Sequence, residues 1–186
     1  DPFCGSGTIS IEAALIAKNR APGLDRSFSA QKWGFVPASA WMEAADEAMD
    51  KEFEGNYDIW GGDIDPKAVA IARSNAEKAG VEDLVRFEVA DALSFHREEP
   101  YGKLVTNPPY GERIMEKKEA EDLYRGFGKA FRSLPDGWTL SLLSSHTEFE
   151  RTFGRNADRK RKLYNGMLKC DLFLYGKRGA QHEKKR

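Results

Sequence analysis

A chain of 186 residues suits one domain and is long enough to bury a sizeable core. Hydrophobic residues make up 40% and charged residues 32%, which describes a soluble globular chain, and no apolar run nears the roughly 18 residues that span a bilayer. The net charge of −1, from 29 Lys+Arg against 30 Asp+Glu, excludes a globally basic nucleic-acid binder, so any such contact must rest on a local patch. Cys4 and Cys170 lie far apart, and His96, His146 and His182 are scattered, so no metal spacing exists and a reduced, cytoplasmic setting is expected.

The chain opens on Asp1-Pro-Phe-Cys-Gly-Ser-Gly-Thr8, without the strand that such a loop normally follows, so a preceding segment is expected. Ile9, Ile11, Ala13, Ala14, Leu15 and Ile16 then give a helix an apolar face up to about Lys18, and Pro22-Gly23 stops it. Phe28, Trp33 and Phe35 predict an irregular packed segment over 24–40, and Trp41, Ala44, Ala45, Ala48 and Met49 a helix over 40–53. A short strand over 57–60 leads to Gly61-Gly62-Asp63. Asp65-Pro66 opens the next helix as cap and first residue, Val69, Ile71 and Ala72 mark its buried side, and Gly80 ends it. Strands follow over 84–89, before Ala90-Asp91-Ala92, and over 103–106. A helix over 119–134, a strand over 138–144 and a short helix over 148–153 come next. Two strands around Asn165-Gly166 form a hairpin, and a basic, frayed tail follows residue 176. Alternating strands and helices closing on a hairpin predict an α/β domain over residues 1–176, Rossmann-like, mostly parallel with an antiparallel C-terminal edge, followed by a tail over 177–186.

Four loops fall at the carboxyl ends of these strands, where open α/β sheets bind ligands. Gly5 and Gly7 let the first loop approach a ligand closely, with the free N–H groups of a helix behind it; a plain tight turn is the bland alternative. Asp63 is placed to take both hydroxyls of a ribose, or is a surface acid. Asp91 is placed to accept from an adenine amine, or is a turn former. The fourth loop, Asn107-Pro108-Pro109-Tyr110, carries most information. Two prolines cannot continue a ladder, so the backbone leaves the strand as a rigid loop with free carbonyls. An Asn oxygen beside a Pro-locked carbonyl suits a planar NH2 group, and Tyr110 offers a face for a heterocycle. Together they suit the exocyclic amine of a nucleobase.

Asp1-Pro-Phe-Cys-Gly-Ser-Gly-Thr-Ile9, Gly62-Asp63-Ile64-Asp65-Pro66, Asp91 and Thr106-Asn-Pro-Pro-Tyr-Gly-Glu-Arg113 resemble the class I S-adenosylmethionine-dependent amino-methyltransferases. More narrowly they resemble the bacterial branch that methylates guanine N2 of 23S ribosomal RNA, related to the tRNA guanine-N2 enzymes. The likeness runs end to end and includes Lys162-Leu-Tyr-Asn-Gly-Met-Leu-Lys-Cys-Asp171. It implies S-adenosylmethionine as cofactor, with Asp1, Phe3, Cys4, Gly5, Gly7 and Thr8 around its methionine part. It also implies Asp63 on the ribose, Ile64 against adenine, Asp91 on the adenine amine with Ala92 alongside, and Asn107 bordering the cofactor. Asn107 and the Pro108 carbonyl then hold the target amine, supported by Pro109, while Tyr110 stacks an extruded base. An RNA-binding THUMP domain usually precedes such domains. Ser10 replaces the third glycine of a dinucleotide fingerprint, which argues against an NAD-dependent oxidoreductase.

A sulfonium methyl is already electrophilic, so positioning and fixed acceptors suffice, and Cys4 lacks the context of a nucleophile. The NPPY loop also serves adenine N6 in DNA and glutamine amides in proteins, and a non-catalytic RNA-binding module is a further alternative. Arg151, Arg155, Arg159, Lys160, Arg161 and Lys162, against the single acid Asp158 in that window, are expected to form a phosphate track for RNA, ribosomal or transfer.

Overall fold

The computed structural model describes residues 1–110 and 117–176. Residues 111–113 of the NPPY-containing motif and the tail over 177–186 lie outside them. Helices α1 (Thr8–Lys18), α2 (Ala38–Asp50), α3 (Pro66–Ala79), α4 (Lys117–Ser133) and α5 (Phe149–Phe153) alternate with strands β1 (Ile59–Asp63), β2 (Val85–Val89), β3 (Tyr101–Thr106), β4 (Gly137–Ser144), β5 (Arg159–Asn165) and β6 (Leu168–Tyr175). β1 pairs parallel with β2, and β3 parallel with β4; β6 joins β4 antiparallel and β5 closes the edge antiparallel to β6. The expected single sheet is thus two hydrogen-bonded sheets, β1-β2 and β3-β4-β6-β5. The segment from Asp1 to Cys4 pairs its backbone with β1 but meets β3 only through side chains.

Neighbouring residues in a strand point to opposite faces, and the molecule uses both. Ile59 packs with Cys4, Ile11, Ala14, Val69, Ala72 and Phe87 under α1 and α3, whereas Trp60 packs with the cluster under α4 and α5. Helices therefore cover both faces, a doubly wound α/β arrangement. In α4, Ala120, Tyr124, Phe127 and Phe131 recur at helical spacing, all 0–1% exposed. Each buried phenylalanine there contributes about 1.5–3 kcal/mol by transfer from water.

The α3 boundaries follow from local chemistry. Asp65 accepts from Lys67 N at 2.8 Å as N-cap, Pro66 supplies a preset φ, and Gly80 stops the helix at φ 64°. Val69 and Ala72 are buried as expected, but Ile71 is 53% exposed, and Ala76 takes the third buried position. β1 begins later than expected and runs through both glycines to Asp63, its ladder continuing against Phe87, Glu88 and Val89 of β2; a Cβ at Gly61 would stand 2.5 Å from the Phe87 ring and one at Gly62 2.2 Å from Trp60, so glycine is required at both. The segment expected to pack over 24–40 is largely exposed, with Trp33 at 53% and Phe35 at 77%, and α2 buries none of its residues. The hairpin loop is Gly166-Met167, one residue later than expected, with the glycine at φ 62° in the first central position and Asn165 paired to Leu168.

Gly128 sets how closely α4 meets α5. A Cβ there would lie 2.2 Å from the Phe153 carbonyl oxygen, a backbone atom that cannot move alone. Helix propensity favours alanine by about 1 kcal/mol, and overpacking opposes it by about 1–3 kcal/mol. Gly128→Ala is therefore expected to lower the urea midpoint; an increase would show that α5 yields freely.

Candidate methyl-transfer site

The carboxyl ends of the parallel strands form one edge of the molecule, and the loops singled out above gather there. The first loop is held by its own backbone: Asp1 N donates to Trp60 O at 2.9 Å, Gly62 N to Asp1 O at 2.8 Å, and Cys4 N to Gly62 O at 2.8 Å. Its carboxylate oxygen Oδ1 accepts from Phe3 N at 3.1 Å and from Thr106 Oγ1 at 2.5 Å. Thr106 is the last residue of β3 and Asn107 follows it. This contact places the glycine loop beside the NPPY loop.

Gly7 has φ 86° and caps α1 without a side-chain hydrogen bond; a Cβ there would meet Phe87 at 2.8 Å and Ala72 at 2.9 Å, so only glycine fits. Gly5, at φ 51°, has nothing within 4 Å of a Cβ, so that face of the loop is open. Ser6 and Thr8 share a hydroxyl contact at 3.3 Å, and Asn75 Nδ2 donates to Ser6 O at 3.0 Å. Asp63 is the last residue of β1, not a residue beyond it. Its carboxylate accepts from Gly5 N and from Asp65 N, each at 3.0 Å and on different oxygens, so each oxygen keeps a lone pair. Asp91 caps the turn over Ala92–Ser94 by accepting from Leu93 N at 2.8 Å through Oδ1 alone. Ile64 is 72% exposed beside this edge.

Three of the anticipated residues turn inward. Phe3 stands edge-on to Phe127 at 5.1 Å, and Cys4 and Ala92 are buried in the two cores, so only their backbones face the loop side. Burial, with Asp63 nearby, pushes the Cys4 thiol up to about 11, which keeps it protonated and removes it from nucleophilic chemistry.

In the fourth loop Asn107 is exposed and Pro108 buried. The Tyr110 hydroxyl donates to Asn107 Oδ1. Tyr124, on α4, donates to the Pro109 carbonyl at 2.7 Å, while no donor among the described residues reaches the carbonyl of Pro108. Burial pushes the Tyr110 phenol up to about 12, partly opposed by the Asn165 side chain at the end of β5, which places the hairpin beside this loop. The sequence reading gave no role to Thr106, Asn75 or Tyr124. Thr106 carries a signal, a hydroxyl at the strand end directly before the asparagine; Asn75 and Tyr124 carry none.

The six expected RNA cations divide. Arg151 pairs with Glu148 at 3.0 Å, Arg155 with Asp158 at 3.3 Å and Lys160 with Glu150 at 2.6 Å, so two acids just before the counted window neutralise part of it. Arg159, Arg161 and Lys162 are exposed on the edge strand β5, and Lys162 faces Asp171 in register. Among the described residues no group of three His, Cys, Asp or Glu could hold a metal ion, and no helix is long and apolar enough to cross a membrane.

A doubly wound α/β arrangement with a glycine loop, two strand-end acids and an Asn-Pro-Pro-Tyr loop along one edge defines a class I, Rossmann-like methyltransferase. Residues 1–173 match the RMKL-like methyltransferase domain family, and the chain belongs to it. It is 44% identical over 189 residues to YpsC of Bacillus subtilis, a candidate RNA methyltransferase by its name, covering 100% of this chain and 48% of that protein. It is 42% identical over 180 residues to the ribosomal RNA large subunit methyltransferase K/L of Shewanella baltica, covering 94% of this chain and 25% of that protein. Among solved structures, a possible methylase from Clostridium difficile matches at TM-score 0.93 and 46% identity, over 98% of this chain and 48% of the other. SMU.472, a candidate methyltransferase by its description and complexed with SAH, matches at TM-score 0.92 and 42% identity, over 96% and 48%. The chain thus spans about half, or a quarter, of these relatives' lengths.

The raised thiol pKa has a direct check. At pH 8 a thiol near 11 holds on the order of 100-fold less thiolate than a free cysteine. Iodoacetamide should therefore label Cys4 at least that much more slowly than glutathione; labelling at the free-thiol rate would contradict its burial.

Proposed function

We propose that this chain transfers a methyl group from S-adenosylmethionine to an exocyclic amine of a base in RNA, with guanine N2 of large-subunit ribosomal RNA as the target. The observation that carries this is the Asn107-Pro108 acceptor pair, held beside the glycine loop by the Asp1–Thr106 contact. The names of the similar proteins, RNA and ribosomal RNA methyltransferases, support RNA as the substrate class.

The residues present fit the cofactor. The open face at Gly5 and the uncapped N-terminus of α1 suit its amino-acid end, the spare lone pairs of Asp63 suit ribose hydroxyls, and the free Oδ2 of Asp91 suits the adenine amine. When bound, S-adenosylmethionine supplies an electrophilic methyl group on a sulfonium. Phe3, Cys4, Thr8, Ile64 and Ala92 border that space, the first two and Ala92 through their backbones.

The amine of guanine is a weak nucleophile because its lone pair is delocalised into the ring. Asn107 Oδ1 and the Pro108 carbonyl, accepting its two N–H bonds, favour the pyramidal form and the positive charge that grows as the new bond forms. Tyr110 covers Asn107 Oδ1 in the free chain, so the incoming base takes over that acceptor as the ring moves to stack on it. After transfer the extra proton passes to water. No thiolate is needed, in keeping with the protonated Cys4.

RNA reaches this loop along β5. Arg159 and Arg161 share one face of the strand with Asn165, whose side chain influences Tyr110, and residues two apart stand about 7 Å apart along a strand. Among the described residues no acid pairs with either arginine. Lys160 lies on the opposite face, tied to Glu150.

Two experiments test this reading. Asp63→Ala should weaken S-adenosylhomocysteine binding by calorimetry by about 1.5–3 kcal/mol, the worth of charged hydrogen bonds, while Asn107→Ala leaves that affinity intact and lowers methyl transfer roughly 10²–10³-fold. Near-normal turnover by Asn107→Ala would remove the acceptor role. In the second, Arg159→Ala with Arg161→Ala should reduce the log–log salt slope of RNA binding by about 0.7–0.9 per lost phosphate contact, and Lys160→Ala should leave it nearly unchanged. An unaltered slope in the double variant would place the RNA elsewhere.

A further inference from the structure

Two successive prolines leave the acceptor loop without backbone donors at those positions, so it can be anchored there only through its carbonyls. The Pro109 carbonyl takes that part, accepting from Tyr124 Oη at 2.7 Å. Tyr124 sits on α4 and is 1% exposed. Its hydroxyl also lies 3.2 Å from Ser144 Oγ, on the last residue of β4. A carbonyl cannot donate, so the single phenolic proton goes to Pro109, and the Ser144 hydroxyl donates to Tyr124. Ser144 Oγ in turn accepts from His146 N at 3.1 Å. The His146 ring stands at 90° to the Tyr124 ring, 5.7 Å away. Its Nδ1 accepts from Glu148 N at 3.1 Å, which leaves Nε2 to donate to Glu121 Oε1 at 3.3 Å.

The result is a directed relay, from the His146 amide through the Ser144 hydroxyl and the Tyr124 hydroxyl to the Pro109 carbonyl, in which each bond polarises the next. The loop is pinned at both ends. Thr106 holds its start to Asp1, and Tyr124 holds the peptide plane between Pro109 and Tyr110. Between those pins lie the Asn107 side chain and the Pro108 carbonyl.

We infer that Tyr124 is a positioning residue for methyl transfer: its hydroxyl, aligned by Ser144, fixes the loop so that Asn107 and the Pro108 carbonyl meet the target amine. This rests on the proposed role of that loop as amine acceptor. A misplacement of about 1 Å can cost on the order of 10²-fold in rate while leaving binding intact.

The test measures transfer of tritiated methyl from S-adenosylmethionine to an unmodified 23S ribosomal RNA transcript by the full chain. Tyr124→Phe keeps the ring packing and loses only the hydroxyl. It is expected to lower kcat roughly 10–100-fold with both KM values within about twofold. Ser144→Ala should lower kcat less, and the double variant should be no slower than Tyr124→Phe, since both act through one carbonyl. A wild-type kcat in Tyr124→Phe, a loss confined to KM, or multiplying effects in the double variant would overturn the positioning role. Should Tyr124→Phe lose its thermal transition, Ser144→Ala with unchanged kcat overturns it equally. A wild-type chain that methylates no RNA amine would overturn the proposed function together with this inference, whereas an active wild type with a full-rate Tyr124→Phe overturns this inference alone.

Discussion

The carboxylate of Asp1 is the point on which the rest of the site depends. Its residue pairs by backbone with β1, and its Oδ1 accepts from Thr106 at the end of β3. One sheet thereby carries the glycine loop and both strand-end acids, and the other carries the acceptor loop, and the two are set side by side. A hydrogen bond to a charged oxygen contributes about 1.5–3 kcal/mol, more than a neutral one, and it is half-shielded from water here. The same oxygen also takes the Phe3 amide, so one atom orders the loop and joins it to β3.

From that junction the chemistry needs little else. A methyl group already activated by positive charge requires no acid, base or metal from the chain in the proposed reaction. It requires an amine held in line and acceptors placed where charge develops. The chain meets that need with rigidity: prolines that cannot pair with a strand, a position 7 where Phe87 and Ala72 leave room for glycine alone, and a buried tyrosine behind the loop. Cys4, beside the glycine loop, is held protonated by burial and serves packing.

Much of this was legible in the sequence where local chemistry decides it. Asp65-Pro66 and Gly80 set the ends of α3 by capping. The acceptor loop was legible because two prolines after a strand leave few conformations. Features decided by tertiary contacts were not. Gly61-Gly62 reads as a strand end, yet the ladder with β2 runs on through both, and they are glycines because Phe87 and Trp60 fill the space that side chains would take. α2 has the period of an amphipathic helix, but period does not reveal what covers a face, and here that face stays only partly covered, with Phe28 stacked on Trp41. The cation run lost Lys160 and Arg151 to Glu150 and Glu148, acids just ahead of the counted window. Tyr124 reads as one more core aromatic, because its hydroxyl finds Pro109 only once the fold has formed.

The central claim is that the fixed acceptors Asn107 and Pro108 direct a methyl group to an exocyclic amine of RNA. The most direct measurement is the identity of the modified nucleoside, by mass spectrometry of an unmodified 23S ribosomal RNA transcript digested after incubation with the protein and S-adenosylmethionine. The account predicts N2-methylguanosine as the new nucleoside. A methyl group on a ring nitrogen, a ring carbon or a ribose oxygen would contradict it, because none of those positions presents the paired N–H bonds that the proposed acceptors would hold.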